Sequence, residues 1–252
     1  MKKAYWDALA PKFEDSVFSV YKHDRAKFIT KAIRRYGDKN KKAADLGCGI
    51  GAFLPCIAEQ FGQVLAIDIS PKCLKRAARQ CAGYSNIDYI NLDLSAEKIK
   101  LPKYDFGVSV NALLSPSLES RLQFIDISTQ NLNNGGYFLL VVPALESALL
   151  GNQRLIEWNV KDGMTPGRAQ RSALVGSDGN NTKKVCVGTV EIDGVETKHF
   201  LKEEIIIMLE KRHMEILDVR KIEYPWHTEF VDPPAWMNAP YPWDWFVLAK
   251  KK

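Results

Sequence analysis

The chain has 252 residues, of which 46% are hydrophobic and 26% charged, an ordinary balance for a soluble globular protein with one principal domain. Its formal charge of +5 is concentrated between Lys22 and Lys42 and in Lys250 to Lys252; such a strip is more often a solvated helix face than a nucleic-acid patch, so no nucleic-acid partner is expected. The longest apolar run, FLLVVPALESALL, is broken by Pro143 and Glu146 and cannot supply the ~20 apolar residues of a membrane span, so no membrane partner is expected.

Asp7, Lys12, Glu14 and Asp15 interrupt the N-terminal stretch, so no secretory signal is expected. YKHDRAKFITKAIRRYG then sets Ala26, Ile29, Ile33 and Tyr36 at helical spacing, with Gly37 as the stop. After the short apolar run KKAADLG, helix and strand alternate. GAFLPCIAEQFG predicts a helix, QVLAIDIS a strand, PKCLKRAARQCAG a helix and IDYINLDL a strand. YDFGVSVNAL predicts a strand, LESRLQFIDISTQNL a helix and GGYFLLVVP a strand. Short Val-, Ile- and Leu-rich strands joined by helices argue for βαβ units and a parallel sheet covered on both faces. The expected fold class is doubly wound α/β.

The pattern changes after Pro143. A helix, ALESALLGNQRLIEWN, precedes a loop over residues 162–182 that breaks periodicity, and two alternating runs around Asp193-Gly194 predict a hairpin. LKEEIIIMLEKRH resumes helix, and MEILDVRKIEY and WDWFVLAKKK read as strands that could form an antiparallel pair at one sheet edge. This divides the chain into an N-terminal helical lid (1–36), an α/β core (37–143), an inserted cap (144–200) and a C-terminal helix with the last two strands (201–252).

Five cysteines (Cys48, Cys56, Cys73, Cys81, Cys186) form no C-x-x-C pair and have no histidine at zinc spacing. They read as reduced thiols of a cytoplasmic protein, with no metal site. The chemistry is concentrated instead in ADLGCGIGAF. A dinucleotide turn places its third glycine three residues after its second; here the pattern is D-x-G-x-G-x-G, with Asp45 two residues before Gly47 and further glycines at Gly49 and Gly51. A carboxylate pointed into the turn would repel a pyrophosphate and attract an ammonium group. Two further acids follow in order, Asp68 at a strand end 17 residues after Gly51 and Asp93 another 25 residues on.

This ordered set resembles the class I S-adenosylmethionine-dependent methyltransferases of small-molecule type, over about residues 20–143 and more loosely in the last two strands. The resemblance implies a mostly parallel seven-stranded, Rossmann-like sheet with S-adenosylmethionine as cofactor. It implies that Asp45, Gly47, Cys48, Gly49 and Gly51 lie under the methionine end, that Asp68 takes the ribose hydroxyls, and that Ile69 flanks the adenine. Asp93 and Leu94 would meet the adenine amino edge, and Val110 and Asn111 would line the methyl donor. The N-terminal YWDALAPKFEDSVFSVYKHD is similar to the lid of quinone-biosynthesis members of the family, which makes Tyr5, Trp6, Phe13 and Tyr21 candidates to contact the cofactor.

The loop YPWHTEFVDPPAWMNAPYPWD carries five prolines and the aromatics Trp226, Phe230, Trp236, Tyr241 and Trp243. Connections of this length are usually functional, so Trp226, Trp236 and Tyr241 are expected to wall the acceptor pocket. The expected reaction is in-line displacement at a methyl carbon, with a small molecule accepting the methyl on O, N or C. Where a proton must leave, histidine is the usual agent; of His23, His199, His213 and His227, the last is the expected base. Alternatives are an RNA or protein methyltransferase, or a non-catalytic cofactor-binding partner protein. DPPAW at Asp232 to Trp236 follows the sixth strand rather than the fourth, where an adenine methyltransferase of nucleic acids carries such a turn.

Overall fold

The computed structural model describes residues 3–252 apart from 98, 174–183 and 193. Part of the loop expected over 162–182, and Asp193 of the expected hairpin turn, lie outside the described residues.

The N-terminal segment forms helix α1 (Lys3–Leu9) and short helical turns at Phe13–Ser16 and Val20–His23. Helix α2 (Phe28–Tyr36) starts later than its apolar spacing predicts. The cause is Asp24, whose carboxylate accepts from the amides of Phe28 and Ile29, both at 3.0 Å, and so supplies a new helix start. Strand β1 (Lys42–Leu46), helix α3 (Leu54–Gln60), strand β2 (Gln63–Asp68), helix α4 (Pro71–Gln80) and strand β3 (Ile87–Asn91) follow. Ser70 caps α4 by accepting from Cys73 N, and Pro71 opens it with a φ already suited to a helix. Strand β4 (Tyr104–Val110), helix α5 (Leu118–Gln130) and strand β5 (Leu132–Pro143) complete the first half.

Helices α6 (Leu145–Lys161) and α7 (Pro166–Ala173) come next, then the hairpin β6 (Thr189–Ile192) and β7 (Val195–Lys198). Helix α7 occupies residues expected to be loop; Pro166 at its first position is the signal that marks it. Helix α8 (Lys202–Glu210) and strands β8 (Met214–Glu223) and β9 (Trp243–Lys251) end the chain.

The sheet is seven-stranded, in the order β3-β2-β1-β4-β5-β9-β8. Strands β1 to β5 pair in parallel, and β9 runs antiparallel to both β5 and β8, which is the expected edge pair. Alternate residues of β5 serve opposite faces. Leu139 and Val141 join the core under α2, α3 and α4, with Ile29, Ile33, Leu54, Ile57 and Leu74, whereas Leu140 and Val142 join the core under α5 and α8, with Phe124, Ile125, Ile205 and Leu209. Each fully buried aliphatic side chain contributes about 1.5–3 kcal/mol, so this period-two alternation holds both layers on one sheet. Because β1, β2 and β4 are parallel, their C-terminal tips open at the same edge, where the order reverses between β1 and β4 and a crevice must form.

Candidate functional site

At the tip of β1 the chain turns through Gly47, Gly49 and Gly51, at φ of 83°, 54° and 90°. A methyl group on Gly47 would sit 2.3 Å from Cβ of Ala112 beyond β4, so only glycine admits the two strand tips at this approach. The amides of Gly47 and Cys48 both donate to Ile67 O, at 2.8 and 2.9 Å. The Gly49 amide donates to Asp68 Oδ2 at 2.9 Å, and Ser70 N to Asp68 Oδ1 at 2.8 Å.

A cavity of about 220 Å3 lies over these tips. Asp45, Gly47, Cys48, Gly49, Asp68, Ile69, Asp93, Leu94, Val110 and Asn111 line it, and so do Trp6, Phe13 and Tyr21 from the N-terminal segment. Gly51 is packed behind, within 3.0 Å of Leu54 and Ala77 for an added Cβ. Asp45 is 3% exposed, and no hydrogen bond to its carboxylate is found among the described residues. Burial, then the charge of Asp68, pushes its carboxyl up to about 7. An unpaired buried carboxylate is costly, and an ammonium group entering the cavity would relieve that cost. Asp68 is also raised by burial, with the amides of Ser70 and Gly49 opposing the shift. Asp93 is half-buried; its Oδ1 accepts from the amide and hydroxyl of Ser95 at 2.9 and 2.6 Å, a local turn that aims the carboxyl. Three acids from successive strand tips therefore share one crevice, and among the described residues no lysine or arginine is hydrogen-bonded to any of them.

The N-terminal segment is fastened across this crevice. Asp7 Oδ1 accepts from the Ser70 hydroxyl at 2.6 Å, and Arg76 of α4 donates to Ala10 O and Glu14 Oε1. Phe13 comes within 3.1 Å of a Cβ built on Gly49. Tyr5 packs edge-on against Trp6, with ring centroids 5.1 Å apart, and does not line the cavity.

The loop after β8 lies elsewhere. Trp226, Trp236, Tyr241 and His227 are not among the cavity-lining residues. Trp226 Nε1 donates to Asn238 O at 3.1 Å, and Arg154 of α6 stacks over Trp226 and Trp236, 5.7 and 5.4 Å from the ring centroids. These contacts turn the aromatic loop toward α6. His227 is exposed, and its ring lies 6.3 Å from that of His23, where burial and then the charge of His227 lower the pKa of His23. His199 is buried, with its pKa pushed down to about 4, mainly by burial. His213 is exposed at φ 60° beyond α8. Among the described residues no group of three or more His, Cys, Asp or Glu could hold a metal ion, and no helix is long and apolar enough to cross a membrane.

Sequence reasoning missed Phe53, Cys73, Arg121 and Phe124 as lining residues. It also missed Asp244, 7% exposed, which accepts from Asn111 Nδ2 at 2.8 Å. Its signal was present: an acid inside the apolar run WDWFVLA must be buried on a strand.

Residues 43–136 match the family model described as a methyltransferase domain. Among curated proteins the chain is similar to carboxy-S-adenosyl-L-methionine synthase of Campylobacter lari, 25% identical over 134 residues that cover 52% of this chain and 56% of that protein. The chain thus spans about half the length of this curated relative. Among solved structures it is similar to an S-adenosylmethionine-dependent methyltransferase from Listeria monocytogenes, at 22% identity and TM-score 0.60, covering 89% of this chain and 95% of that one. It also resembles the 1,6-didemethyltoxoflavin-N1-methyltransferase of Burkholderia thailandensis, solved with 1,6-didemethyltoxoflavin and S-adenosylhomocysteine, at 14% identity and TM-score 0.63, covering 99% and 87%. These structures share the fold.

Proposed function

We propose that the chain, whose residues 43–136 match a methyltransferase domain, is an S-adenosylmethionine-dependent methyltransferase that transfers a methyl group to an oxygen, nitrogen or carbon atom of a small-molecule acceptor. The observation that carries this reading is Asp45, a buried carboxylate with no cationic partner among the described residues, in the same crevice as Asp68 and Asp93. The donor set fits a nucleoside bearing an ammonium group and no phosphate. Asp45 attracts the ammonium across the glycine turn. Asp68, held by two amides, accepts from the ribose hydroxyls, each charge-assisted bond contributing on the order of 1.5–3 kcal/mol. Asp93 and Leu94 meet the adenine edge, and Ile69 covers its face.

S-adenosylmethionine supplies a methyl group on a sulfonium, which is already a good leaving group. The protein's remaining task is alignment and exclusion of water. Trp6, Phe13 and Tyr21 close the crevice and offer aromatic faces to a cation, a contribution of roughly 0.5–2 kcal/mol each. His227 is the base we assign should the acceptor be a hydroxyl or an acidic carbon; its ring stands 6.3 Å from that of His23, and neither lines the crevice as it stands. Trp226, Trp236 and Tyr241 wall the acceptor in this reading only once the Arg154 contacts that hold the two tryptophans against α6 are released. The Burkholderia enzyme's small acceptor is consistent with this scale of pocket.

The test is to supply the protein with methyl-tritiated S-adenosylmethionine and metabolite, RNA and protein fractions. Label in a small molecule is expected. Label in RNA or protein would overturn the acceptor class, and cofactor binding with no transfer to any fraction would reduce the protein to a binding module.

A further inference from the structure

We infer that Arg121 binds the carboxylate of an anionic acceptor, and that this buried guanidinium decides which small molecules take the methyl group. The inference rests on the methyl-transfer reading above and narrows its acceptor.

The charged residues that line the cavity are Glu14, Lys22, Asp45, Asp68, Asp93 and Arg121. Lys22 is exposed, whereas Arg121, on the first turn of α5, is 8% exposed. Among the described residues Arg121 is therefore the one buried cation of the crevice. The cofactor placed above engages Asp45, Asp68 and Asp93 and leaves Arg121 without a task.

Its position is fixed by the backbone and not by an acid. Nη1 donates to Ser115 O and Pro116 O, both at 2.8 Å, which pins the plane of the guanidinium. No carboxylate lies within ion-pair distance of it among the described residues. Glu204 of α8 is the acid whose charge reaches Arg121, but each of its two oxygens meets Lys198 Nζ at 2.8 Å. Lys198, 3% exposed, is a second buried cation whose pKa the charge of Arg121 helps to lower, after burial. One carboxylate thus serves two buried cations and is committed to the lysine. Nε and Nη2 of Arg121 have no partner among the described residues, and neither is sealed from open space, so this edge of the guanidinium faces the cavity that Arg121 lines.

A buried charge without a counter-charge is costly, and a carboxylate relieves it best, because its two oxygens match the parallel N–H groups of a guanidinium edge. A phosphate, with up to two charges, would meet the four acids of the same lining. The lining runs without a break from Val110 at the tip of β4 to Ser115, whose carbonyl Arg121 holds. Asn111 and Ser115 are four residues apart, at most about 14 Å of extended chain, so a small molecule can reach from the methyl donor to Arg121. The cofactor's own carboxylate fits less well. It shares a carbon with the ammonium, so a guanidinium serving it would lie beside Asp45. The charge acting on Asp45 is that of Asp68, and the charge acting on Arg121 is that of Glu204; the two groups stand apart.

The experiment uses the protein loaded with S-adenosylhomocysteine and titrated with benzoate and benzamide, which match in size and differ in charge. Benzoate is expected to bind at least tenfold more tightly. Arg121→Met is expected to reduce that ratio to within twofold of one while leaving the affinity for S-adenosylhomocysteine within twofold. Arg121→Lys, which keeps the charge and loses the fork, is expected to retain part of the ratio. A merely structural arginine would weaken both probes alike. Equal binding of the two probes by the wild-type protein, or an undiminished ratio in Arg121→Lys or Arg121→Met, would overturn the inference. So would a tenfold loss of S-adenosylhomocysteine in Arg121→Met with unchanged binding of 5′-methylthioadenosine, which lacks the amino-acid end, because the carboxylate would then be the cofactor's. Failure of the methyl-transfer reading would show separately, as absence of S-adenosylhomocysteine binding in the first loading step.

Discussion

The backbone amide of Gly49 donates a 2.9 Å hydrogen bond to Oδ2 of Asp68, across 19 residues of sequence. The glycine turn and the second acid are thereby one unit, so damage to either should be felt at both. Asp68→Ala is expected to weaken S-adenosylhomocysteine binding by about 2 kcal/mol or more, roughly 30-fold, through lost hydroxyl contacts. Calorimetry checks this, and unchanged affinity would remove Asp68 from the site.

A second expectation concerns pH. Only ionised Asp45 pairs with an ammonium, and its carboxyl stands at about 7 in the free protein. Affinity for S-adenosylhomocysteine should therefore fall as pH drops below about 7, approaching tenfold per unit. The stability effect has the opposite sense. A carboxyl raised above its ordinary value contributes stability that is present at low pH and lost as pH rises through about 7. Asp45→Asn should melt higher than wild type near pH 8 without ligand while binding more weakly, the exchange expected where a destabilised group serves a site. Melting curves and titrations at matched pH check both signs.

The close approach at Gly47 gives a third. Gly47→Ala forces a methyl to 2.3 Å from Ala112 at a φ of 83°, combining overpacking with a strained backbone. The expected loss is about 2–4 kcal/mol, read from denaturant unfolding. Gly83→Ala, which meets no atom within 4 Å, should change stability by less than about 0.5 kcal/mol.

The N-terminal closure depends on few contacts. Arg76 is 26% exposed and its partner Glu14 40%, so the ion pair itself contributes about 0.2–1 kcal/mol. Arg76→Ala should leave the melting temperature within a few degrees while speeding proteolysis of the N-terminal 20 or so residues. Equal cleavage rates in variant and wild type would show that Asp7 and the aromatic contacts suffice to hold the segment.

Much of the cofactor crevice was legible in the sequence because its residues are set by chain order. A glycine turn and acids at successive strand tips must converge once the strands are parallel, and strand periodicity revealed that. The acceptor side depends on contacts between distant segments. The loop from Tyr224 to Pro242 looked like a pocket wall by composition, but Arg154, an unremarked residue of α6, draws its tryptophans aside. Asp244 reaches Asn111 across 133 residues, a pairing fixed by the insertion of β9 between β5 and β8. The start of α2 was displaced by a single side-chain cap, Asp24, that apolar spacing does not register.

The most direct measurement is a calorimetric titration of the protein with S-adenosylhomocysteine at pH 8, repeated with Asp45→Ala and with a nicotinamide dinucleotide in place of the nucleoside. One molecule bound per chain, at least tenfold weaker binding in Asp45→Ala and no heat from the dinucleotide are the expected results. A dinucleotide that binds, or an Asp45→Ala variant that holds S-adenosylhomocysteine as tightly as wild type, would contradict the assignment.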